Sequence, residues 1–302
     1  MRLVRIIALL GIAFVPFGTM APPQRPEVYG VALVHLRVSS LESSRPFYAS
    51  TLGLPQGNQG CFSPQGTAAC FFVGPMQQVE LVSGPTASAG ALEAVGFRVS
   101  DAATMRKYLL AHGMKCGEVT KSNSGDDVVE VRDPENHRIL FLSHKGAIAG
   151  SLSLSLVSTQ VIHAGFVVLN RAAEDRFYKD ILGFHVYWHG GMKDSTDDWV
   201  DMQVREGTDW IEYMLNVPGN ADHHTLGVMN HIALGVPDIK AAREQLIKNG
   251  WKPREEPQIG RDGKWQLNLY DPDDTRVELM EFTPVQKPCC SEYTGPHPGS
   301  NQ

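Results

Sequence analysis

Four copies of one segment pattern run along this chain, and this internal repeat constrains the fold more than any other feature of the sequence. Each copy begins with an apolar strand, continues into an amphipathic helix and ends with strands in which apolar and polar residues alternate. The first strands of the four copies begin at Val31, Val95, Val161 and Ile232. Because one such unit cannot bury its apolar face alone, the copies are expected to pack against one another.

The odd and even copies differ in the signals that end their helices and strands. The odd copies carry a Phe-Tyr pair followed by a glycine, in Phe47-Tyr48 with Gly53 and Phe177-Tyr178 with Gly183. The even copies carry an N-cap aspartate and a later Asp-Pro turn, in Asp101 with Asp133-Pro134 and Asp238 with Asp271-Pro272. Aspartate is preferred at helix N-caps, and glycine commonly follows the last helical turn. The repeat therefore predicts an α+β fold of four βαβββ units, which pair into two modules at 27–145 and 159–284.

The segment before the first module, residues 1–21, has the pattern of an export signal. Arg2 and Arg5 precede an apolar run from Ile6 to Val15, and small residues follow up to Ala21. We therefore expect a periplasmic or secreted protein. The apolar run is short for a membrane span, so a membrane is a partner only if the signal stays uncleaved.

Two further segments lie between and after the modules. Residues 146–158 are predicted to form a linker, although the alternating run from Ser151 to Leu156 is also typical of an extra edge strand. Residues 285–302 form a tail rich in proline and glycine that contains the adjacent Cys289 and Cys290. A disulfide between neighbouring cysteines is strained, so we expect these two to be structural or incidental and not bonded to each other.

The charge balance argues for a small-molecule partner. The chain has 27 Lys+Arg and 33 Asp+Glu, which gives a formal net charge of −6, and it contains no basic stripe. A nucleic-acid partner is therefore not expected. A homodimer remains open.

A second pair of cysteines, Cys61 and Cys70, flanks a short segment in the first module. A hairpin that turns at Gln65-Gly66 would place the two cysteines directly opposite each other, at a separation that a disulfide can bridge. Two free, buried thiols are the alternative at this stage.

Comparison of the modules at equivalent positions isolates four potential metal ligands in the second. They lie on predicted strands and are His163, Glu212, His231 and Glu278. The equivalent positions of the first module hold Leu33, Glu80, Ala94 and Leu140. Imidazoles and carboxylates on facing strands of one curved sheet suit a divalent ion such as Fe, Mn, Ni or Zn. We therefore predict one such metal site in the second module and loss of its ligands in the first.

Other polar and aromatic side chains are predicted to surround this site or to lie away from it. The candidate substrate-pocket residues are Trp199, Trp210, Tyr213, Arg261 and Trp265. His35 lies two residues past the ligand register of its strand and is predicted to be structural, and His223-His224 is predicted to be a solvated pair.

Three stretches of the second module, 177–184, 230–236 and 271–279, resemble the vicinal oxygen chelate superfamily, which includes glyoxalase I, extradiol dioxygenases and bleomycin resistance proteins. The resemblance covers both modules. It implies that each module folds into a curved mixed sheet flanked by helices, and that the metal binds a substrate through two vicinal oxygens.

Within this superfamily, the order and spacing His-Glu-His-Glu are similar to glyoxalase-type enzymes. That similarity implies a lyase or isomerase that transfers a proton on a metal-chelated hydroxy-carbonyl or enediolate. Glu278, or Glu212 by pseudo-symmetry, is then the expected catalytic base, because a carboxylate beside a divalent ion is held ionised.

Two alternatives stay open. Non-haem Fe(II) extradiol dioxygenases resemble this chain in having two modules of which only the second binds metal. However, this chain has Glu212 where those enzymes carry an acid-base histidine, and Asn268 where they carry a tyrosine. A metal-free small-molecule binding or resistance protein is the third interpretation, and the intact ligands of the second module argue against it.

Overall fold

The computed structural model describes residues 23–84, 91–144 and 156–299. The predicted export signal and residues 146–155 of the predicted linker lie outside the described residues, and with them most of the alternating Ser-Leu run. Within the described parts of the chain, none of the helices is both long and apolar enough to cross a membrane.

The described residues of the first module form eight strands and two helices. In chain order they are β1 (Val28–Val38), α1 (Leu41–Pro46), β2 (Gln56–Gly57), β3 (Ala68–Gly74), β4 (Gln77–Ser83), β5 (Leu92–Val99), α2 (Ala102–Ala111), β6 (Thr120–Lys121), β7 (Asp127–Arg132) and β8 (Arg138–Ser143). A π-helical turn, Phe47–Thr51, continues α1.

The second module repeats this order and adds one short helix, α4, between its two units. Its elements are β9 (Gln160–Val167), α3 (Arg171–Asp175), β10 (His185–Gly190), β11 (Trp199–Gln203), β12 (Trp210–Met214), α4 (His223–Met229), β13 (His231–Val236), α5 (Ile239–Lys248), β14 (Gln258–Ile259), β15 (Trp265–Tyr270) and β16 (Arg276–Glu281). A π-helical turn, Arg176–Ile181, continues α3. The pair His223-His224, predicted to be solvated, begins α4.

Each module forms one eight-stranded mixed sheet with the same strand order. The orders are β2-β3-β4-β1-β5-β8-β7-β6 and β10-β11-β12-β9-β13-β16-β15-β14. In each sheet the first strands of the two units pair antiparallel at the centre, and each of them pairs in parallel with the last strand of its own unit. The four predicted βαβββ units and the predicted fold class are therefore confirmed.

The signals read from the repeat act locally as expected. The side chain of Asp101 accepts a hydrogen bond from the backbone N–H of Thr104, and Asp238 caps α5 in the same way. Gly113 and Gly250 follow the helices at φ +81° and +95°, a left-handed conformation in which a Cβ is disfavoured.

One hydrophobic core joins the two modules. The ring of Phe97 in the first module lies 5.4 Å from the ring of Phe184 in the second. The hydroxyl of Tyr108 donates to the backbone carbonyl of Ile181 across the same boundary, at 2.7 Å. The modules therefore hold a fixed orientation through buried contacts, and the concave face of the second sheet lies away from this core.

Both cysteine pairs form disulfides in the structure. Cys61 and Cys70 are bonded with their Cα atoms 5.9 Å apart, but they are not opposite each other in a hairpin. The cross-strand partner of Cys70 is Gly57, and Cys61 lies in the loop between β2 and β3, so the predicted register was wrong. Cys289 and Cys290 are also bonded to each other, contrary to expectation.

Candidate metal centre

Four neighbouring strands of the second sheet carry the four predicted ligands. His163 lies on β9, Glu212 on β12, His231 on β13 and Glu278 on β16. In the strand order β12-β9-β13-β16 these strands are adjacent, so their side chains on the concave face can converge.

The structure brings the four side chains together. The Nε2 atoms of His163 and His231 lie 3.1 Å apart. Oε2 of Glu212 lies 3.1 Å from Nε2 of His231 and 3.7 Å from Nε2 of His163. Oε2 of Glu278 lies 3.6 and 3.8 Å from the same two nitrogens. Both imidazoles are fully buried.

A glycine makes room for one of the ligands. Gly165 lies across the ladder from both Glu212 and His231, and a Cβ at Gly165 would lie 2.2 Å from Cε1 of the His231 ring. The imidazole of His231 on β13 therefore fits only because residue 165 on β9 is a glycine.

In the first module, a histidine and a glutamate pair with each other, and the positions equivalent to the other candidate ligands are apolar. His35 is paired with Ala94 and Glu80, and its Nε2 lies 3.1 Å from Oε2 of Glu80. The remaining positions are filled by an apolar cluster that includes Leu33 and Leu140. His35 is thus half of a buried hydrogen-bonded pair, which fits the structural role predicted for it.

The donor set fits a divalent cation. Nδ1 of His231 lies 3.0 Å from the carbonyl oxygen of Met229, so a proton on Nδ1 directs the Nε2 lone pair into the cluster. Two imidazole nitrogens and two carboxylate oxygens then face one another, and protons on the imidazoles cannot satisfy all of these acceptors. A shared cation would satisfy them together, so this donor set fits a divalent metal ion.

Burial and charge keep His163 and Glu278 in the forms that bind metal. Burial lowers the pKa of His163 to about 4, so its imidazole is neutral at pH 7. Burial acts to raise the pKa of Glu278, but the nearby Arg276 charge and hydrogen bonding with His231 outweigh it and lower that pKa to about 2. The carboxylate of Glu278 is therefore ionised at neutral pH.

Arg276, which was not predicted as a site residue, contacts two of the candidate ligands. Its Nη2 lies 2.7 Å from Nε2 of His231, and its Nη1 lies 3.9 Å from Oε2 of Glu278. The signal was present, because Arg276 precedes Glu278 by two residues on β16 and so shares its face of the sheet.

A cavity of about 210 Å³ opens onto Glu212 and Glu278. Its other lining residues are Trp188, Trp199, Asp201, Ile259, Gly260, Arg261, Asp262, Gln266, Arg276 and Met280. Two of the predicted pocket residues, Trp199 and Arg261, are among them.

The other three predicted pocket residues do not line this cavity. Trp210 is buried, with its ring centroid 4.9 Å from that of His163. Tyr213 points to the opposite face of β12, where its ring lies 5.9 Å from that of Tyr178. Trp265 packs against the main hydrophobic core. These three aromatic side chains therefore pack against His163 or in the core and do not line the cavity.

A buried lysine, also missed from the sequence, lies near the cavity wall. Lys264 is fully buried, and its Nζ lies 4.7 Å from the ring centroid of Trp210 and 5.2 Å from that of Tyr187. Burial lowers the pKa of Lys264 and raises that of the neighbouring Asp262 to about 6. Cation–π contacts of this kind stabilise a desolvated ammonium group.

This chain matches a known family over part of its length and shares its fold with solved structures. Residues 161–279 match the Glyoxalase/Bleomycin resistance protein/Dioxygenase superfamily. Comparison with curated proteins gives no match. Among solved structures, an extradiol ring-cleaving dioxygenase from B. fuscum is 21% identical, with a TM-score of 0.63 over 89% of this chain and 75% of that chain. The 2,3-dioxygenase LapB from Pseudomonas sp. KL28 is 17% identical, with a TM-score of 0.65 over 92% and 96%.

At these identities the likeness to solved structures shows the fold. The family match covers the strands that carry all four ligands, and the first module repeats the same strand order. The chain is therefore a two-module protein of the vicinal oxygen chelate fold, and its residues 161–279 belong to the Glyoxalase/Bleomycin resistance protein/Dioxygenase superfamily.

Proposed function

We propose that this protein is a metal-dependent enzyme of the glyoxalase type, which transfers a proton on a substrate that presents a hydroxyl and a carbonyl on adjacent carbons. The observation that carries the proposal is the position of Glu212, whose Oε2 is as near to His231 as the two imidazoles are to each other. A divalent ion held by these four donors would bind two vicinal oxygens of one substrate.

The residues of the site divide the work between binding and proton transfer. His163 and His231 would hold the ion together with the two glutamates, and the ion would supply Lewis-acid polarisation of the substrate oxygens. One glutamate oxygen would take the proton from the hydroxyl-bearing carbon and return it to the neighbouring carbon, while the hydroxyl proton moves to the former carbonyl oxygen. The adjacent cavity, with Trp188 and Trp199 in its wall, holds the rest of a small substrate.

A second candidate function is extradiol ring cleavage by an Fe(II) dioxygenase. It is favoured by the fold, since homoprotocatechuate 2,3-dioxygenase from Brevibacterium fuscum, complexed with 3,4-dihydroxyphenylacetate, is 20% identical with a TM-score of 0.62 over 93% of this chain and 85% of that chain. Against it, no histidine or tyrosine stands among the described residues that line the cavity. Such a side chain would be needed as the acid-base group of that chemistry.

We further propose that the protein acts outside the cytoplasm. Both disulfides, Cys61–Cys70 and Cys289–Cys290, are of the kind that persists in an oxidising compartment. The pattern of residues 1–21 supports the same conclusion.

The proposed reaction is tested by two assays on the same anaerobically prepared, metal-loaded protein. In D₂O, dihydroxyacetone should exchange its carbon-bound hydrogens, as followed by NMR, and Glu212→Gln should slow the exchange at least tenfold. Catechols in air should cause no oxygen uptake. Ring cleavage with oxygen uptake, and no exchange, would establish the second candidate instead.

A further inference from the structure

Two equivalent junctions connect the modules, because each module places its Asp-Pro turn against the first helix of the other. In the first junction, the hydroxyl of Tyr48 donates to Asp271 at 3.0 Å. In the second junction, the hydroxyl of Tyr178 donates to Asp133 at 3.1 Å. The repeat thus builds the same tyrosine–aspartate contact twice.

Two positions differ between the junctions. The first junction has Ser44 on its helix and Thr275 after its turn, whereas the second has Glu174 and His137 at the equivalent places. Since serine and threonine suffice for packing in the first junction, packing does not explain a glutamate and a histidine in the second. These two side chains are both potential metal ligands.

The second junction brings three ligand-type side chains together. Nδ1 of His137 lies 2.8 Å from Oδ2 of Asp133, and one ligand atom from each of Asp133, His137 and Glu174 lies within 4.8 Å of the others. Asp133 and Glu174 are buried, and His137 is partly exposed beside a cavity of about 380 Å³. An ion could therefore enter from the His137 side.

One carboxyl oxygen of Glu174 has no hydrogen-bond partner among the described residues, which indicates a ligand from outside the chain. Its Oε1 accepts a hydrogen bond from the backbone N–H of Glu135 at 2.9 Å, but its Oε2 is buried and has no hydrogen-bond partner among the described residues. Glu174 is completely buried, and a ligand atom of Asp133 lies within 4.8 Å of its carboxyl group. Two adjacent buried carboxyl groups are costly unless a proton or a cation lies between them.

We propose that Asp133, His137 and Glu174 bind a divalent transition-metal ion, with Zn²⁺ as the preferred ion. Two carboxylates and one imidazole are suitable zinc ligands, and a water molecule would take a fourth position. Because Asp133 and His137 belong to the first module and Glu174 to the second, the ion cross-links the modules. This site is separate from the four-ligand centre and does not depend on the proposed function.

The test uses the full chain with the four-ligand centre removed by His163→Ala and His231→Ala. This variant should still bind one equivalent of Zn²⁺, which raises its Tm, and Co²⁺ should give a d–d absorption band. Adding Glu174→Gln or Asp133→Asn should weaken binding at least hundredfold and remove the Tm increase. The matched control is Asp271→Asn, which alters the equivalent contact of the first junction and should leave metal binding unchanged.

A second measurement covers the case in which the background variant does not fold. In the otherwise wild-type chain, Glu174→Gln should lower Zn²⁺ stoichiometry from two per chain to one. The same stoichiometry and the same Zn²⁺-dependent Tm with and without Glu174→Gln would overturn the proposal. The two carboxyl groups would then simply share a proton.

Discussion

Arg276 donates a hydrogen bond to the same lone pair of His231 that a metal ion would use, at 2.7 Å. Its positive charge also repels a cation at the four-ligand centre. We therefore expect Arg276→Gln to strengthen metal affinity by about tenfold, which is about 1.4 kcal/mol. Competition titration with a metal-sensitive dye measures the metal affinity of both proteins. Weaker binding in this variant would show that Arg276 supports the ligands and does not compete for them.

His231 and His35 give a second contrast between individual residues. His231 is a proposed ligand that lies next to Glu212, whereas His35 is paired with Glu80 in the other module. His231→Ala should therefore lose the metal of the four-ligand centre, and His35→Ala should keep it. The measurement is metal analysis after dialysis, with Glu174→Gln added to both variants so that the junction site does not contribute. Loss of metal on changing His35 would contradict the assignment.

At the scale of elements, the close approach of β9 and β13 decides whether the centre can form. The Nδ1 contact with Met229 fixes the His231 ring, so a methyl group at Gly165 would collide with it. Gly165→Ala should cost about 1–3 kcal/mol in the free energy of unfolding and weaken metal binding at least tenfold. Gly219→Ala is the control, because a Cβ there meets no atom within 4 Å. Equal effects of both changes in denaturation and metal titration would refute this account.

The strands and helices could be predicted from the repeat, because Asp101, Asp238 and the glycines after the helices act through local backbone geometry. The convergence of the four candidate ligands could also be predicted, since comparison of equivalent positions separates His163 from Leu33 and His231 from Ala94. The directions of the aromatic side chains could not be predicted in this way. Alternation places Trp210 and Glu212 on one face of β12, but it does not tell which of them lines a cavity and which lies behind His163.

Loop geometry could also not be predicted from the sequence. Cys61 and Cys70 are bonded, but the bond forms from a loop to a strand and not across a hairpin. The position of Cys61 depends on contacts such as the hydrogen bond between the Phe62 N–H and Gln78, which no local pattern reveals. Likewise, the contact between Arg276 and His231 joins two strands that are 45 residues apart in sequence.

At the scale of the whole molecule, Asp209 ties the modules together. Its carboxyl group accepts hydrogen bonds from the Val31 N–H at 2.9 Å, in the first module, and from the Gln160 amide at 2.8 Å. Burial raises its pKa to about 7 although these hydrogen bonds act to lower it. The folded protein therefore binds a proton that the unfolded chain, with a pKa near 3.8, has released.

This difference gives stability that is fully present below about pH 4 and is lost as the pH rises through 7. Between pH 5 and 7 the free energy of unfolding should fall by about 1 kcal/mol per pH unit from this group alone. Asp209→Asn, which does not titrate, should remove that part of the slope. Urea denaturation at several pH values compares the two proteins, and identical slopes would show that Asp209 is ionised throughout the range.

The central claim is that four side chains, and not three, hold the metal of the second module. Anomalous diffraction from crystals of the metal-loaded wild-type protein measures the four ligand distances directly. We expect carboxylate oxygens of both Glu212 and Glu278 and the Nε2 atoms of His163 and His231 at about 2.0–2.3 Å from the ion. A Glu212 carboxylate more than about 3 Å from an ion that is bound by the other three would contradict the account and favour the three-ligand dioxygenase centre.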